Sequence, residues 1–354
     1  MRFLWMLFVW GSLGADSYSI VFVHIGSQLP SYLPVAISQA RLFNPNCPIY
    51  VLGNQKALHI FSPPVPNVHL VALESLKKSS EHKTFLKRVK TAPGLFRFAM
   101  ERFFFLDSFV RANHLKHVFH LENDVMIYAD LEKKLPVFEQ QYQGMLATVF
   151  ATDRRCVPGF IYIFDEAPLH ELVQFMVTKA HKNDISDMEL ISQFKDGTYK
   201  TRSDYLPMLI PSYEKDHALI DLPGTVYQDG SRYANHVEEF QCIFDGAALG
   251  QYFGGLDAAY HPGKARPGFI NELNVYNAAF FHFAWKKDAE GRYIPLISYG
   301  PETYLIANLH IHGKRLEAFS SLNEEMPALP TFGEAYSSIP IHWDSFERLR
   351  IVNP

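Results

Sequence analysis

A chain of 354 residues, 48% of them hydrophobic and 14% aromatic, has ample material for one large buried core or two fused ones. Its 33 basic and 37 acidic residues leave a formal charge of -4, so no global positive field exists to hold DNA, RNA or an anionic membrane, and no nucleic-acid partner is expected. Three cysteines, Cys47, Cys156 and Cys242, lack the spacing of a zinc knuckle or a redox pair; they read as structural thiols, with one disulfide open to an exported chain.

At the amino terminus, Arg2 precedes the apolar run Phe3 to Trp10 and the small residues Gly11 to Ala15, the order of a signal peptide. The run falls short of the about 20 apolar residues that span a bilayer, and no stable transmembrane span is expected elsewhere. The expected organisation is a leader over 1–15, one domain over 16–330 and a tail over 331–354. "SYSIVFVHIG" reads as a strand buried on both faces, Pro34 to Phe43 as a helix, and Cys47–Gly53 and Val68–Leu73 as further strands. Strand, helix, strand with glycine at the strand ends begins a parallel α/β sheet. The lysine-rich Leu76–Lys90 segment reads as a solvated loop or helix face, and Gly94–Asn113 as a helix packed on the sheet. Val118–Leu121 follows as a buried strand, which puts Glu122 and Asp124 at the carboxyl end, where open α/β sheets bind their ligands. Beyond it, "GMLATVFA" and "GFIYIFD" read as strands and Leu169–His181 as a helix; Asp184 to Met188 opens another, with its aspartates as caps. Ser203–Asn235 reads as irregular. There is no internal repeat and no linker.

Four constellations could carry chemistry. Glu122-Asn123-Asp124 can present oxygen ligands to a hard cation such as Mg2+ or Mn2+, itself a usual companion of phosphate; the bland alternative is a surface turn. In "NLHIHGKRL", His310 and His312 fall on one side of an extended segment and can complete a metal sphere begun by carboxylates. Gly313 permits close backbone approach and Lys314 offers a point charge to a phosphate, the alternative being a polar strand edge. "FDGAALGQYFGG" spaces its glycines as close-contact positions on a packed helix and is no dinucleotide fingerprint; its Asp245 is either a helix cap or a polar group facing a sugar. Last, Arg154 and Arg155 could approach a diphosphate with Pro158-Gly159 beside them, and Glu272 in "GFINELN" could act as a base or bond a hydroxyl.

This order of features resembles the nucleotide-sugar-dependent glycosyltransferases of the GT-A fold. "HVFHLENDVMIYADL" looks like their Asp-x-Asp motif with Glu122 in the first place, and "LHIHGKRL" looks like a compressed form of the His-x-x-Gly-x-x-Lys segment of the glycogenin-like group. The resemblance covers most of Ile20 to Leu316. It implies an α/β fold with a half-Rossmann, mixed, mostly parallel central sheet flanked by helices. It also implies Mn2+ or Mg2+ as cofactor and hexosyltransferase-like transfer from a nucleotide-sugar donor, expected to be UDP-linked, to a glycan, protein or lipid hydroxyl. By position, Asp124 becomes the principal metal ligand, Glu122 a contact to metal or ribose, His310 or His312 the third ligand, and Lys314 the diphosphate holder. Arg102 would contact the nucleotide, while His24, Gly26, Gly53, Asn54 and Asn123 would line the nucleotide-sugar site. Asp245, Glu272 and Asp187 are the candidate bases, and the resemblance leaves inversion and retention both open.

Three rivals stand beside this reading. A sugar nucleotidyltransferase would carry a basic, glycine-rich loop after the first strand, and "HIGSQLPSYLP" has no basic side chain of that kind. A metal-dependent phosphoesterase would use the same residue types with more ligands, and a noncatalytic carbohydrate-binding protein would not need Asp124. A leader together with a nucleotide-sugar donor points to a secretory-pathway lumen or to secretion into a host.

Overall fold

The computed structural model describes residues 18–89, 94–179, 186–197, 201–217, 219–221, 225–227 and 229–337; the expected leader, Asp184 and the last part of the expected tail lie outside them. β1 (Ser19–His24) is buried along nearly its whole length, as its unbroken apolar run requires. α1 (Leu33–Phe43) starts with proline in its first turn, where a missing amide costs no helical bond, and returns the chain to β2 (Ile49–Gly53). After α2 (Gln55–His59), β3 (Val68–Ala72) forms the edge. The lysine-rich segment forms an amphipathic helix, α3 (Ser80–Arg88), capped by Ser79 and burying His82 and Phe85. α4 (Gly94–Asn113) then delivers the chain to β4 (Val118–Leu121).

β5 (Val125–Ile127), α5 (Leu131–Gln141), β6 (Leu146–Thr152), β7 (Arg155–Ile163), α6 (Glu166–Lys179), α7 (Asp187–Asp196) and β8 (Ser203–Tyr205) follow. The main sheet has seven strands in the order β3-β2-β1-β4-β7-β6-β8. Neighbours from β3 to β4 run parallel, as do β6 and β8, while β7 is antiparallel to both β4 and β6. This is the mixed, mostly parallel sheet with flanking helices that the sequence led us to expect. From β1 the chain moves to one side through β2 and β3, then crosses back to β4 on the other side. The crevice beyond the carboxyl ends of β1 and β4 is therefore the topological switch point, and Glu122 to Asp124 stand in it.

The rest of the chain is built from short pieces: α8 (Pro211–Asp216), β9 (Leu219–Asp221), β10 (Thr225–Tyr227), α9 (Val237–Phe240), β11 (Cys242–Ile243), α10 (Ala248–Gly254), β12 (Phe269–Ile270), β13 (His282–Lys287), β14 (Tyr293–Tyr299), β15 (Glu302–Ile306), β16 (Asn308–His310) and β17 (Tyr336–Ser337). Strands β11-β15-β14-β13 form a second, four-stranded sheet. Ser203–Asn235, expected to be irregular, thus holds β8, α8 and a small hairpin, each too short to leave a periodic signature. Tyr336–Ser337, inside the expected tail, pair with β12. Ser186 with Glu189 forms the capping box of α7, a correction to the expected aspartate caps. Cys47, Cys156 and Cys242 are buried free thiols, so the disulfide held open by the sequence is not formed. Among the described residues no helix is long and apolar enough to cross a membrane.

One pairing brings the two ends of the site together. β16 runs antiparallel to β5 with His310 opposite Val125, and the Ile311 amide donates to the Asp124 carbonyl at 2.9 Å. Behind β16, α10 comes so close that a Cβ on Gly250 would lie 2.0 Å from the His310 carbonyl oxygen. The glycine spacing of "FDGAALGQYFGG" is thus a contact surface for this strand. Gly250→Ala should overpack it and destabilise the protein by about 1–3 kcal/mol or more. Gly263→Ala, with nothing within 4 Å of its added methyl, should stay within about 0.5 kcal/mol of wild type. Urea unfolding of the two variants checks both.

Candidate functional site

β4 ends in the turn Glu122 to Val125, closed by the Val125 amide donating to the Glu122 carbonyl at 3.2 Å. Asp124 is 4% exposed, so its charge must be met by protein groups. His310 Nε2 lies 3.2 Å from Glu122 Oε2 and 3.2 Å from Asp124 Oδ1, and Lys314 Nζ pairs with Asp124 Oδ2. From α4, Arg102 reaches Glu122 Oε1 with Nη1 at 2.5 Å and Asp187 Oδ2, on the first turn of α7, with Nη2 at 2.9 Å. Because Ser186 does the capping, the Asp187 carboxylate is left to face Arg102.

These contacts set the protonation states. Burial opposes the charge on Glu122, yet Arg102 and His310 hold its carboxyl below the usual carboxylate range. Burial opposes the charge on Asp124 too, and His310 and Lys314 hold its carboxyl well below that range. Burial works against protonation of His310, but Asp124 and Glu122 push its pKa up to about 10. His312 moves the other way, pushed down to about 3 by burial and by the charge of His310.

Asp245 is fully buried between α10 and β16. Its Oδ1 accepts from the Leu249 amide at 3.0 Å, and its Oδ2 accepts from the amides of Gly250 at 2.9 Å and His310 at 3.0 Å. This carboxylate caps the helix and fixes the His310 backbone, the cap alternative of the sequence reading. The neighbouring Gly246 carbonyl accepts from His310 Nδ1 at 2.6 Å, which turns Nε2 toward the carboxylates. Asn308 adds a reciprocal pair, donating to the Asp245 carbonyl at 2.8 Å and accepting from the Asp245 amide at 3.2 Å. Asp245 thus acts on the site through His310.

The ends of β1 and β2 form the other wall. Asn123 Nδ2 donates to His24 Nδ1 at 3.1 Å across the switch point. The Gly26 amide donates to Asn54 Oδ1 at 2.9 Å, Asn54 Nδ2 to Glu74 Oε1 at 2.9 Å, and the Gln55 amide to Glu74 Oε2 at 2.8 Å. Gly53 closes β2 beside Asn54. Glu272 lies half-buried in the turn after β12, next to Asn271, and Arg154 and Arg155 sit at the β6–β7 hairpin turn. Sequence reasoning passed over Glu74, Gln251 and Asn308. Gln251 and Asn308 lie inside quoted stretches, but their spacing alone does not show what their amides meet.

Donor atoms of Asp124, His310 and His312 all lie within 4.8 Å of one another, and Glu122 borders them. Carboxylate oxygens with imidazole nitrogen fit a divalent metal ion. No protein-family model and no curated protein sequence matches the chain. Among solved structures it is similar to the apo form of mouse xyloside xylosyltransferase 1, at 9% identity and TM-score 0.39 over 56% of this chain and 89% of that one. It is also similar to the galactosyltransferase LgtC with donor and acceptor sugar analogues, at 14% and 0.38 over 53% and 73%. A third is a cytidylyltransferase from Leptospira borgpetersenii, at 11% and 0.35 over 56% and 84%. Likenesses this distant assign no activity.

With a pKa of about 10 in the metal-free protein, His310 is protonated at neutral pH, and its ion pairs are lost as the pH rises through that value. A cation bound at Nε2 must displace that proton. Mn2+ binding should therefore release about one proton at neutral pH and tighten as the pH rises toward that pKa. Calorimetry in buffers of different ionisation enthalpy reads the release directly; a pH-independent affinity would contradict it.

Proposed function

We propose that the protein is a metal-dependent glycosyltransferase, hexosyltransferase-like, that moves a sugar from a nucleotide-diphosphate donor to a hydroxyl of a glycan, protein or lipid. UDP is the base we expect, and the leader-like amino terminus extends the proposal to an exported protein. The observation that carries the reading is the meeting of Glu122, Asp124 and His310 with Lys314 and Arg102 at the switch point of the sheet. An acidic cluster lined by its own cations suits a ligand that brings a metal and a diphosphate together.

Asp124 and His310 would hold the ion with Glu122 in reach, and the bound ion would supply Lewis-acid stabilisation of charge on the diphosphate. Lys314 extends over the Tyr32 ring, 5.6 Å from its centroid, and carries a second positive charge on the same side. As the bond between the anomeric carbon and the phosphate oxygen breaks, its electron pair stays with the diphosphate, where Lys314 faces it. The acceptor oxygen forms the new bond and gives up its proton, to a carboxylate base if the configuration inverts or to the leaving diphosphate if it is retained. Arg102 holds Glu122 and Asp187 in fixed orientation to accept hydrogen bonds from sugar or ribose hydroxyls. The Gly26–Asn54–Glu74 chain shapes the wall for base and ribose before any ligand arrives. Asp245 is engaged by three amides and Asp187 by Arg102; with Glu272 they stay the proposed candidates for the base of an inverting course.

Calorimetric titration of UDP and GDP into the full chain, with and without Mn2+, tests the reading. Expected is Mn2+-dependent binding of UDP, weakened by about 100-fold or more in Asp124→Ala, beyond the usual cost of losing an outer partner. Tighter GDP binding would reassign the base. Failure of both nucleotides to bind well-folded protein would overturn the proposal, leaving phosphoester hydrolysis or chelation-insensitive glycan binding to be measured.

A further inference from the structure

His310 and His312 stand two residues apart with ring centroids 4.3 Å apart, edge to face at 78°. Their Nδ1 atoms meet opposite kinds of partner. His310 Nδ1 faces the Gly246 carbonyl, which can only accept, so Nδ1 carries a proton and the lone pair of neutral His310 is on Nε2. The partner of His312 Nδ1 is Gln251, 2.7 Å away and 5% exposed. Which atom of that amide faces the ring is decided further out.

The deciding group is the Leu273 backbone N–H, which can only donate. It meets Asn271 at 3.0 Å, so the atom there is Oδ1. The other end of Asn271 is then Nδ2, which donates to Gln251 Oε1 at 2.9 Å. What remains for His312 is Gln251 Nε2, again a donor, so His312 Nδ1 must accept. With that lone pair engaged, the proton of His312 is on Nε2. A neutral imidazole can free Nε2 for a metal only by moving its proton to Nδ1, where it would face the Gln251 donor, so Nε2 of His312 is closed to the ion.

We infer that His312 is not a metal ligand but a hydrogen-bond donor, its proton fixed on Nε2 by the Leu273–Asn271–Gln251 relay and offered to a phosphoryl oxygen of the ligand held at Asp124 and His310. The phosphate contact rests on the function proposed above; the position of the proton does not. His312 is half-buried, and with Nδ1 engaged by Gln251 its Nε2 is the ring nitrogen left to meet a ligand. The ion is left to Asp124, His310 and Glu122. The two histidines divide the work, one binding the cation and one its anionic companion.

Asn271→Asp supplies the test, because a carboxylate still accepts the Leu273 amide but cannot donate to Gln251. Gln251 should then turn its Nε2 outward, present Oε1 to the ring and move the His312 proton to Nδ1. Long-range 1H–15N spectra of the full chain labelled at histidine, assigned with His312→Gln, should show the Nε2–H form in wild type and the Nδ1–H form in Asn271→Asp. Both variants should bind UDP and pyrophosphate about tenfold more weakly in the presence of Mg2+, a loss of about 1.4 kcal/mol. Mn2+ affinity without nucleotide should stay within about twofold of wild type in His312→Gln. An Nδ1–H signal in wild type, or Mn2+ affinity lost about tenfold in His312→Gln, overturns the inference. If wild type binds pyrophosphate but neither UDP nor GDP, the glycosyltransferase reading fails while this one stands. If it binds none of them, the donor role of His312 falls too.

Discussion

At the end of a fully buried strand Asp124 is buried and Glu122 half-buried, and the desolvation of their charges governs what surrounds them. An unpaired buried ion costs several kcal/mol, on the order of a domain's whole net stability. Arg102 is drawn in from α4, His310 and Lys314 from one stretch near the carboxyl end, and Asp187 joins on the far side of Arg102. Three carboxylates thus face three cations. The balance would suit the metal and anion proposed for this site: a cation bound at His310 would displace one proton, and an anion would find Lys314 already in place.

Such a balance is useful only if its members are held still. His310 is gripped twice by consecutive residues, Asp245 on its backbone amide and Gly246 on its ring. Glycines surround it: a Cβ on Gly159 would come within 2.6 Å of His310 Nδ1, as one on Gly250 would strike its carbonyl. The ring therefore occupies space that side chains at those positions would fill. Positioning comes from backbone contacts, which move little, and this is how a site between short, irregular elements acquires the rigidity of one built on a sheet.

The amino-terminal half was largely legible in the sequence. β1, β2 and β4 are buried enough to read as apolar runs, and α4, at 20 residues, is long enough to show itself by length alone. Once β4 was recognised, Glu122 and Asp124 had to lie at a strand end. The carboxyl-terminal half was harder for two reasons: β11, β12 and β17 have two residues each, fewer than any periodicity needs, and β13, β14 and β15 are long enough but largely half-buried or exposed, without the unbroken apolar runs of β1 and β4. The cap of α7 could have been found, since Ser186-Asp187-Met188-Glu189 is a capping-box pattern. The tautomer of His312 could not, because it depends on Leu273, Asn271 and Gln251, whose meeting is a product of the fold.

The β5–β16 pairing also orders events in time. Asp124 and Lys314 are separated by 190 residues, so at about 5–20 residues per second a ribosome takes about 10–40 s to pass from one to the other. Throughout that interval the acidic turn has Arg102 upstream but neither His310 nor Lys314. The nascent chain holds Asp124 without its main counter-charges, and the edge of β5 waits for its only partner strand among the described residues. Docking of β16 supplies backbone partner and charge in one step. The proposed site is therefore completed late in synthesis, and a chain cut short before β16 would contain every strand of the main sheet while lacking His310 and Lys314.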